Sequence, residues 1–224
     1  MAGGLGTRLR SVIDNVPKPM ADINSKPFLC FILENLYQYG FRKIILSIGY
    51  KGDLIVNYFG TNYKGVEIVY VMDEIPLGTG GAIKKSMQYI VEDHAFIING
   101  DTFCDIKFSE LEDMWCKSYK NIMTVVKKSS TLRFGKVKVS EGYVLEMHEK
   151  NSTGSGLINA GCYVLSKIIF ENSNGIQRGS FETGLLAKLI SNHEVLAYIH
   201  SGEFIDIGIP EDYAKAQVLL KNYA

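Results

Sequence analysis

Between residues 43 and 126, short runs rich in β-branched residues alternate with longer amphipathic stretches. That alternation is the strongest constraint on the fold, because strands joined by crossover helices build a largely parallel sheet. Lys43 to Ile48, Val66 to Val71, Ala95 to Asn99 and Ile122 to Val126 are the predicted strands. Pro27 to Tyr39 sets Phe28, Phe31, Ile32, Asn35 and Leu36 at helical spacing, with Pro27 in the favoured first turn and Gly40 as the stop. Asp53 to Phe59 and Gly80 to Val91 read the same way. After residue 130 the pattern changes. Gly135 to Val139 and Tyr143 to Met147 look like antiparallel strands around a Glu141-Gly142 turn, so a small β region is inserted there. Ile158 to Leu165, Val195 to Ile199 and Phe204 to Ile205 return to strand character, and Pro210 opens a last helix running to about Lys221. No repeat or Pro/Gly/Ser-rich linker interrupts this, which predicts one domain over residues 1–224.

Charge and composition narrow the function classes. Lys plus Arg number 24 and Asp plus Glu number 24, so no excess of positive charge is available to hold a nucleic-acid polymer. The aromatic residues follow core periodicities instead of alternating with basic ones, which gives no stacking platform for bases. No run approaches the eighteen or so apolar residues of a membrane span, and Met1-Ala2-Gly3-Gly4 is not a signal sequence, so a soluble cytoplasmic protein is expected. Cys30, Cys104, Cys116 and Cys162 lack C-x-x-C spacing and read as reduced thiols of the core. His94, His148, His193 and His200 lack metal-ligand spacing and read as surface or packing residues.

Three features carry chemistry. Ala2-Gly3-Gly4-Leu5-Gly6-Thr7-Arg8 puts three glycines and a hydroxyl ahead of an arginine, so backbone N–H groups can approach an anion without Cβ interference. It is neither a P-loop nor a dinucleotide fingerprint. Pro17-Lys18-Pro19 restricts the backbone on both sides of one lysine, bracing that does little for a solvated surface residue. Asp101 follows an apolar strand and a glycine, which places a carboxylate at a strand's C-terminal edge, where open α/β sheets bind ligands, and Asp206 repeats the placement. One such aspartate alone is more readily a turn or a helix cap; the pair is what favours a ligand site.

Taken together, Gly3-Gly4-x-Gly6-Thr7-Arg8-Leu9, Pro17-Lys18-Pro19, Pro76-Leu77-Gly78-Thr79-Gly80-Gly81-Ala82, Asn99-Gly100-Asp101, Phe134-Gly135-Lys136-Val137, Glu149-Lys150, Asn159-Ala160-Gly161 and Phe204 to Tyr213 resemble, in order, the signature of the sugar-1-phosphate nucleotidyltransferases. Within them, the string through Ile83 looks most like the D-glycero-D-manno-heptose 1-phosphate guanylyltransferases of bacterial surface-polysaccharide pathways. The resemblance implies a Rossmann-like three-layer α/β/α fold with a predominantly parallel sheet. It also implies a nucleotide-binding part over about residues 1–130 and a sugar-binding part over about 131–205. The implied reaction joins an NTP and a sugar 1-phosphate into an NDP-sugar with release of pyrophosphate.

The implied roles match the chemistry. Arg8 would fork onto the leaving pyrophosphate and Lys18 would act as a point charge at the reacting phosphates. Asp101 and Asp206 would share Mg²⁺ with phosphate oxygens and water. Ala2, Gly3, Gly4, Gly6, Thr7, Gly78 and Thr79 would surround the nucleotide. Gly100, Gly135, Asn159 and Ala160 would form the floor for the sugar, Lys150 would hold its phosphate and Glu149 would accept from its hydroxyls. Glu182 is a further sugar contact on this reading, although an acid at a helix N-terminus explains it equally. Asp73, as an acceptor, suits the adjacent N1–H and N2–H₂ donors of guanine, though uracil N3–H could also donate to it. Mannose or N-acetylmuramic acid 1-phosphate and other NTPs are alternative substrates, and a catalytically silent nucleotide-sugar sensor is the alternative of a different class. Tail helices in this superfamily often pair between subunits, which implies a homo-oligomer, dimeric first. Relatives usually carry an apolar strand immediately before Ala2-Gly3-Gly4, so either residues upstream of Met1 supply it, which is the first expectation, or another segment fills the gap.

Overall fold

The computed structural model describes residues 1–4, 9, 13, 15–72, 77–148, 154–171 and 178–223. In chain order its elements begin with β1 (Asp22–Ile23), β2 (Lys26–Pro27), α1 (Phe28–Gln38), β3 (Lys43–Ile48), α2 (Gly52–Phe59), β4 (Asn62–Tyr63) and β5 (Val66–Met72). Next come α3 (Gly78–Met87), β6 (His94–Ile98), β7 (Thr102–Cys104), α4 (Phe108–Ser118), β8 (Asn121–Lys128), β9 (Lys136–Ser140), β10 (Tyr143–Met147) and β11 (Gly156–Ser166). The chain finishes with α5 (Ile168–Glu171), a π-helical turn (Glu182–Leu186), α6 (Ala187–Ser191), β12 (Val195–His200), β13 (Phe204–Asp206) and α7 (Pro210–Leu219). Among the described residues no helix is long and apolar enough to cross a membrane.

The chain divides into two compact units. The first combines Met1–Pro76, Asn99–Asp105 and Glu203–Ala224, and the second Leu77–Ile98 and Ile106–Gly202. In the first unit β3 and β5 run parallel in the register Lys43↔Glu67 through Ile48↔Met72, with β4 antiparallel on the far side of β5. Helix α1 buries Phe28 through Leu33 without a break, so nearly its whole first half is core. Its end is sequence-encoded. Gly40 takes φ +91°, and the N–H groups of Gly40 and Phe41 return to the carbonyls of Tyr37 and Leu36, which satisfies the last turn. Pro27 stands just before the helix instead of in its first turn, where its missing N–H still has no consequence.

Glu34 on α1 collects three donors, Lys64 Nζ at 2.7 Å, Lys26 Nζ at 2.9 Å and the Tyr63 hydroxyl at 3.1 Å. Burial by itself would raise its carboxyl pKa, but these donors outweigh burial and hold it below the ordinary value of 4.5. A depressed carboxyl contributes stability that is fully present above its unfolded pKa and is lost as pH falls through the folded one. Glu34→Gln is therefore expected to cost about 1 kcal/mol at pH 7, allowing for solvent screening. The gap from the unchanged protein should narrow as pH falls below 4.5 and close once pH has passed through the lowered pKa of Glu34 and the carboxylate is protonated. Urea unfolding at a series of pH values from 7 downwards checks this; a gap independent of pH over the whole series would refute it.

The second unit is built on one six-stranded sheet in the order β6-β11-β8-β12-β10-β9. The α/β class stands, but the ladders are mixed. Parallel pairing is confined to β3–β5 and β8–β12, and the other ladders among the described residues are antiparallel. The cause is β11, an 11-residue strand that returns from the inserted hairpin and pairs antiparallel with β6, β8 and β9. The hairpin itself is as expected: Glu141 and Gly142 are left-handed at φ 51° and 79°, a two-residue turn matched to the strand twist. Ile122, Met123, Val125, Ile158, Tyr163, Val164, Leu165 and Val195 are buried along these central strands. All four cysteines are free; Cys30 and Cys162 are buried, but Cys116 on α4 is exposed, contrary to its expected place in the core. Burial pushes the Cys162 thiol up to about 12 and leaves it a poor nucleophile.

Candidate active site

In the first unit the backbone at the chain's start is held on two sides. Ala2 N–H donates to Ser47 O at the end of β3 at 2.8 Å, and Gly100 N–H donates to Met1 O at 2.7 Å. A Cβ on Gly100 would lie 2.6 Å from that same Met1 oxygen, so the close approach depends on glycine. Ala2 is buried while Gly3 and Gly4 are exposed, and the chain is buried again at Leu9. Gly6, Thr7 and Arg8 of the expected phosphate cradle lie outside the described residues.

The backbone on either side of Lys18 is set by its prolines. Pro17 is extended and Pro19 sits inside the short helical turn Lys18–Met20. Lys18 Nζ lies 3.1 Å from Asp101 Oδ2, with side-chain exposures of 14% and 32%, so both partners are partly withdrawn from water. Asp101 leads into β7, which pairs antiparallel with β13 in the register Asp206↔Thr102, and Ile207 N–H donates to Asp101 O at 3.0 Å. Asp101 and Asp206 are thus neighbours across one short ladder. Asp206 Oδ1 accepts from Gly208 N–H, and a Cβ on Gly208 would stand 2.6 Å from Asp206 Oδ1 and 3.5 Å from Lys18 Nζ. Lys18, Asp101 and Asp206 are therefore brought together around Gly208, a residue to which the sequence alone assigns no role. A signal for it exists: a carboxylate two residues before a glycine commonly closes a side-chain-to-backbone turn. Lys18 pairs directly with Asp101, and Asp206 lies alongside, so two carboxylates are available there to a cation.

In the second unit Gly78 opens α3 at φ +73°, and a Cβ there would collide with the carbonyl oxygen of Gly179. Gly179 N–H donates to Leu77 O at 2.9 Å and Gly80 N–H to Gly179 O at 3.0 Å. Thr79 Oγ1 accepts from Phe181 N–H at 2.7 Å and donates to Glu182 Oε2 at 3.1 Å. Thr79 and Glu182, which the sequence divides between nucleotide and sugar, thus share one hydrogen-bonded group, with Gly78 packed against Gly179 beside it.

On β11, Asn159 Nδ2 donates to the Tyr163 hydroxyl at 2.6 Å and Asn159 Oδ1 accepts from Gly161 N–H at 2.9 Å. Gly161 is left-handed at φ +68°, and the pairing with β8 shifts register between Asn159 and Tyr163. The asparagine side chain fastens that bulge, and Ala160 is buried within it. Gly135 is half-buried in the turn before β9. Asp73, Glu149 and Lys150 lie outside the described residues. His94 is a packing residue as expected, stacked on Trp115 at 4.7 Å with its ring nitrogens 2.7 Å from Asp93 and 2.9 Å from Glu112.

No group of three or more His, Cys, Asp or Glu side chains able to hold a metal ion occurs among the described residues. Asp101 and Asp206 still fit a hard divalent cation that takes its remaining oxygens from substrate and water, since their donors are carboxylates on adjacent backbone.

The family model described as nucleotidyl transferase matches residues 1–222. A D-glycero-alpha-D-manno-heptose 1-phosphate guanylyltransferase from Aneurinibacillus thermoaerophilus is 41% identical over 225 residues, covering 100% of this chain and 97% of the relative. A protein of the same description from Campylobacter jejuni is 42% identical over 214 residues, covering 95% of each. Among solved structures, HddC from Yersinia pseudotuberculosis complexed with GMP-PN matches with a TM-score of 0.87 at 39% identity, covering 97% of this chain and 96% of that one.

Proposed function

That the chain belongs to the nucleotidyl transferase family is the premise from which we propose guanylyl transfer from GTP to D-glycero-alpha-D-manno-heptose 1-phosphate, yielding a GDP-heptose and pyrophosphate. The protein is a sugar-1-phosphate nucleotidyltransferase. The observation that carries the chemistry is Lys18 paired to Asp101 beside Asp206. The choice of guanine and heptose is supported by the two relatives of that description and by the neighbour bound to GMP-PN.

In the reaction a phosphate oxygen of the sugar attacks the α-phosphorus of GTP, a P–O bond forms, and the bond to the β-phosphate breaks with its electron pair leaving on pyrophosphate. Two anions must approach, so charge neutralisation and alignment dominate the barrier. Lys18 supplies a positive charge, its backbone restricted by the flanking prolines and its ammonium held by Asp101. Asp101 and Asp206 would hold Mg²⁺, which when bound neutralises phosphate oxygens. Gly78 and Thr79, at the N-terminus of α3, would present backbone N–H groups to the nucleotide. Arg8, with Gly6 and Thr7, is assigned to the leaving pyrophosphate, Asp73 to the guanine edge, and Lys150 and Glu149 to the sugar phosphate. A cytoplasmic location follows from the supply of GTP, and the product suits a glycosyl donor for surface polysaccharide.

Pyrophosphate release over a grid of four NTPs and several sugar 1-phosphates, with and without Mg²⁺, tests the reading. Turnover is expected to be highest for GTP with the heptose phosphate and to fall at least tenfold without the metal. Preference for another pair would reassign the substrates, and nucleotide binding with silence across the grid would make the protein a sensor.

A further inference from the structure

Glu182 has hydrogen-bond partners that its sequence position does not reveal. Its Oε2 accepts two hydroxyls, Thr79 Oγ1 at 3.1 Å and Ser180 Oγ at 2.8 Å. Thr79 Oγ1 at the same time accepts from Phe181 N–H at 2.7 Å. A hydroxyl that accepts from a backbone donor has one proton left to place, and here it points at Glu182, which fixes the threonine rotamer. The backbone bonds Gly179 to Leu77 and Gly80 to Gly179 run alongside. The start of α3 is therefore fastened to residues 179–182 by side chain and backbone together. What they hold in place is a turn with Gly78 at φ +73°, a conformation with close competitors for a free glycine.

We propose that Glu182 is a positioning residue for the nucleotide, acting through Thr79 to hold the N-terminus of α3 in its binding conformation, and is not a contact to the sugar. This rests on the reading that Gly78 and Thr79 meet the nucleotide. Both hydroxyls converge on the same carboxylate oxygen, so the clamp needs an acceptor at that point and not a negative charge. A glutamine carbonyl oxygen can replace Oε2; a leucine cannot.

The test is steady-state kinetics in each substrate, with calorimetric binding of GTP in the absence of sugar phosphate. Glu182→Leu is expected to raise the KM and Kd for GTP about tenfold while changing the KM for the sugar phosphate less than about twofold. Glu182→Gln is expected to return both GTP constants to within about threefold of the unchanged protein. Thr79→Val should reproduce the effect of Glu182→Leu, and the double variant should add little to either, because both remove the same bond. If Glu182→Leu does not fold, Thr79→Val against Thr79→Ser provides the same comparison. A rise confined to the sugar phosphate, an equal rise for both substrates, or a Glu182→Gln as weak as Glu182→Leu overturns the proposal. Calorimetry needs no turnover, so a wrong sugar assignment leaves the measured GTP affinities fully informative, whereas unchanged protein that binds no GTP removes both readings.

Discussion

Lys18→Met is expected to lower kcat by about 10³-fold while leaving the fold almost untouched. The variant removes the ammonium that faces Asp101 and leaves two carboxylates where the proposed reaction brings phosphates. Repulsion is thereby added to the lost stabilisation, which puts the effect at the upper end for removal of a single charged group. Stability should move little. The ion pair is partly solvated, and such pairs contribute about 1 kcal/mol or less, a melting shift of a few degrees in a chain of this size. Asp101→Asn is expected to give a comparable fall, and the double variant should be far from additive because the two side chains act as a unit. Single-turnover kinetics alongside thermal melts decide it. Retention of more than a tenth of the activity in Lys18→Met would remove the lysine from the chemistry.

Gly78→Ala is expected to be the most damaging methyl addition in the second unit. Two effects combine there: a left-handed backbone and a Cβ driven into the Gly179 carbonyl, whose carbon would be only 2.7 Å away. Relief requires Gly179 to move, and its carbonyl is the acceptor for Gly80 N–H. A cost of about 3 kcal/mol or more follows, with a melting decrease of roughly 6–12 °C and loss of GTP binding. Gly142→Ala isolates the first effect, since Gly142 has φ +79° with nothing within 4 Å of its Cβ position. It should cost about 1 kcal/mol and leave kinetics unchanged. Equal melting temperatures for the two variants would show that the Gly179 contact contributes nothing.

The parts of the fold legible in the sequence are those whose determinants are local. Strands β3, β5, β6 and β8, helix α1 with its Gly40 stop, and the hairpin at Glu141-Gly142 follow from periodicity and turn chemistry within a few residues. The same two-residue turn recurs at Asn24-Ser25 and Lys64-Gly65, both left-handed at each position. Those escape sequence reading because strands of two residues leave no alternation to detect. The direction of the ladders is not legible either. Periodicity reports which side chains are buried and is silent on whether β11 returns beside β6 and β8 as an antiparallel strand. At the site, Lys18, Asp101 and Asp206 are legible because each sits in a constrained local frame, a proline pair or a strand edge. The partners of Glu182 and Asn159 are not legible, because a sequence shows a side chain's chemistry and not its neighbours: Glu182 meets Thr79 over a separation of 103 residues, and Asn159 meets Gly161 and Tyr163.

The order in which the chain is made bears on when Asp101 and Asp206 become neighbours. The first unit is assembled from three stretches, and Asp206 belongs to the last of them, Glu203–Ala224. Every residue of the second unit has been synthesised before Asp206 is added. A nascent chain at that stage holds Lys18 and Asp101 but lacks the strand that pairs with β7. At about 5–20 residues per second, the interval between Gly202 and the end of α7 is on the order of one to a few seconds. The β7–β13 pairing that sets Asp206 beside Asp101 is thus a late event of synthesis, possible only after every residue of the second unit has been added.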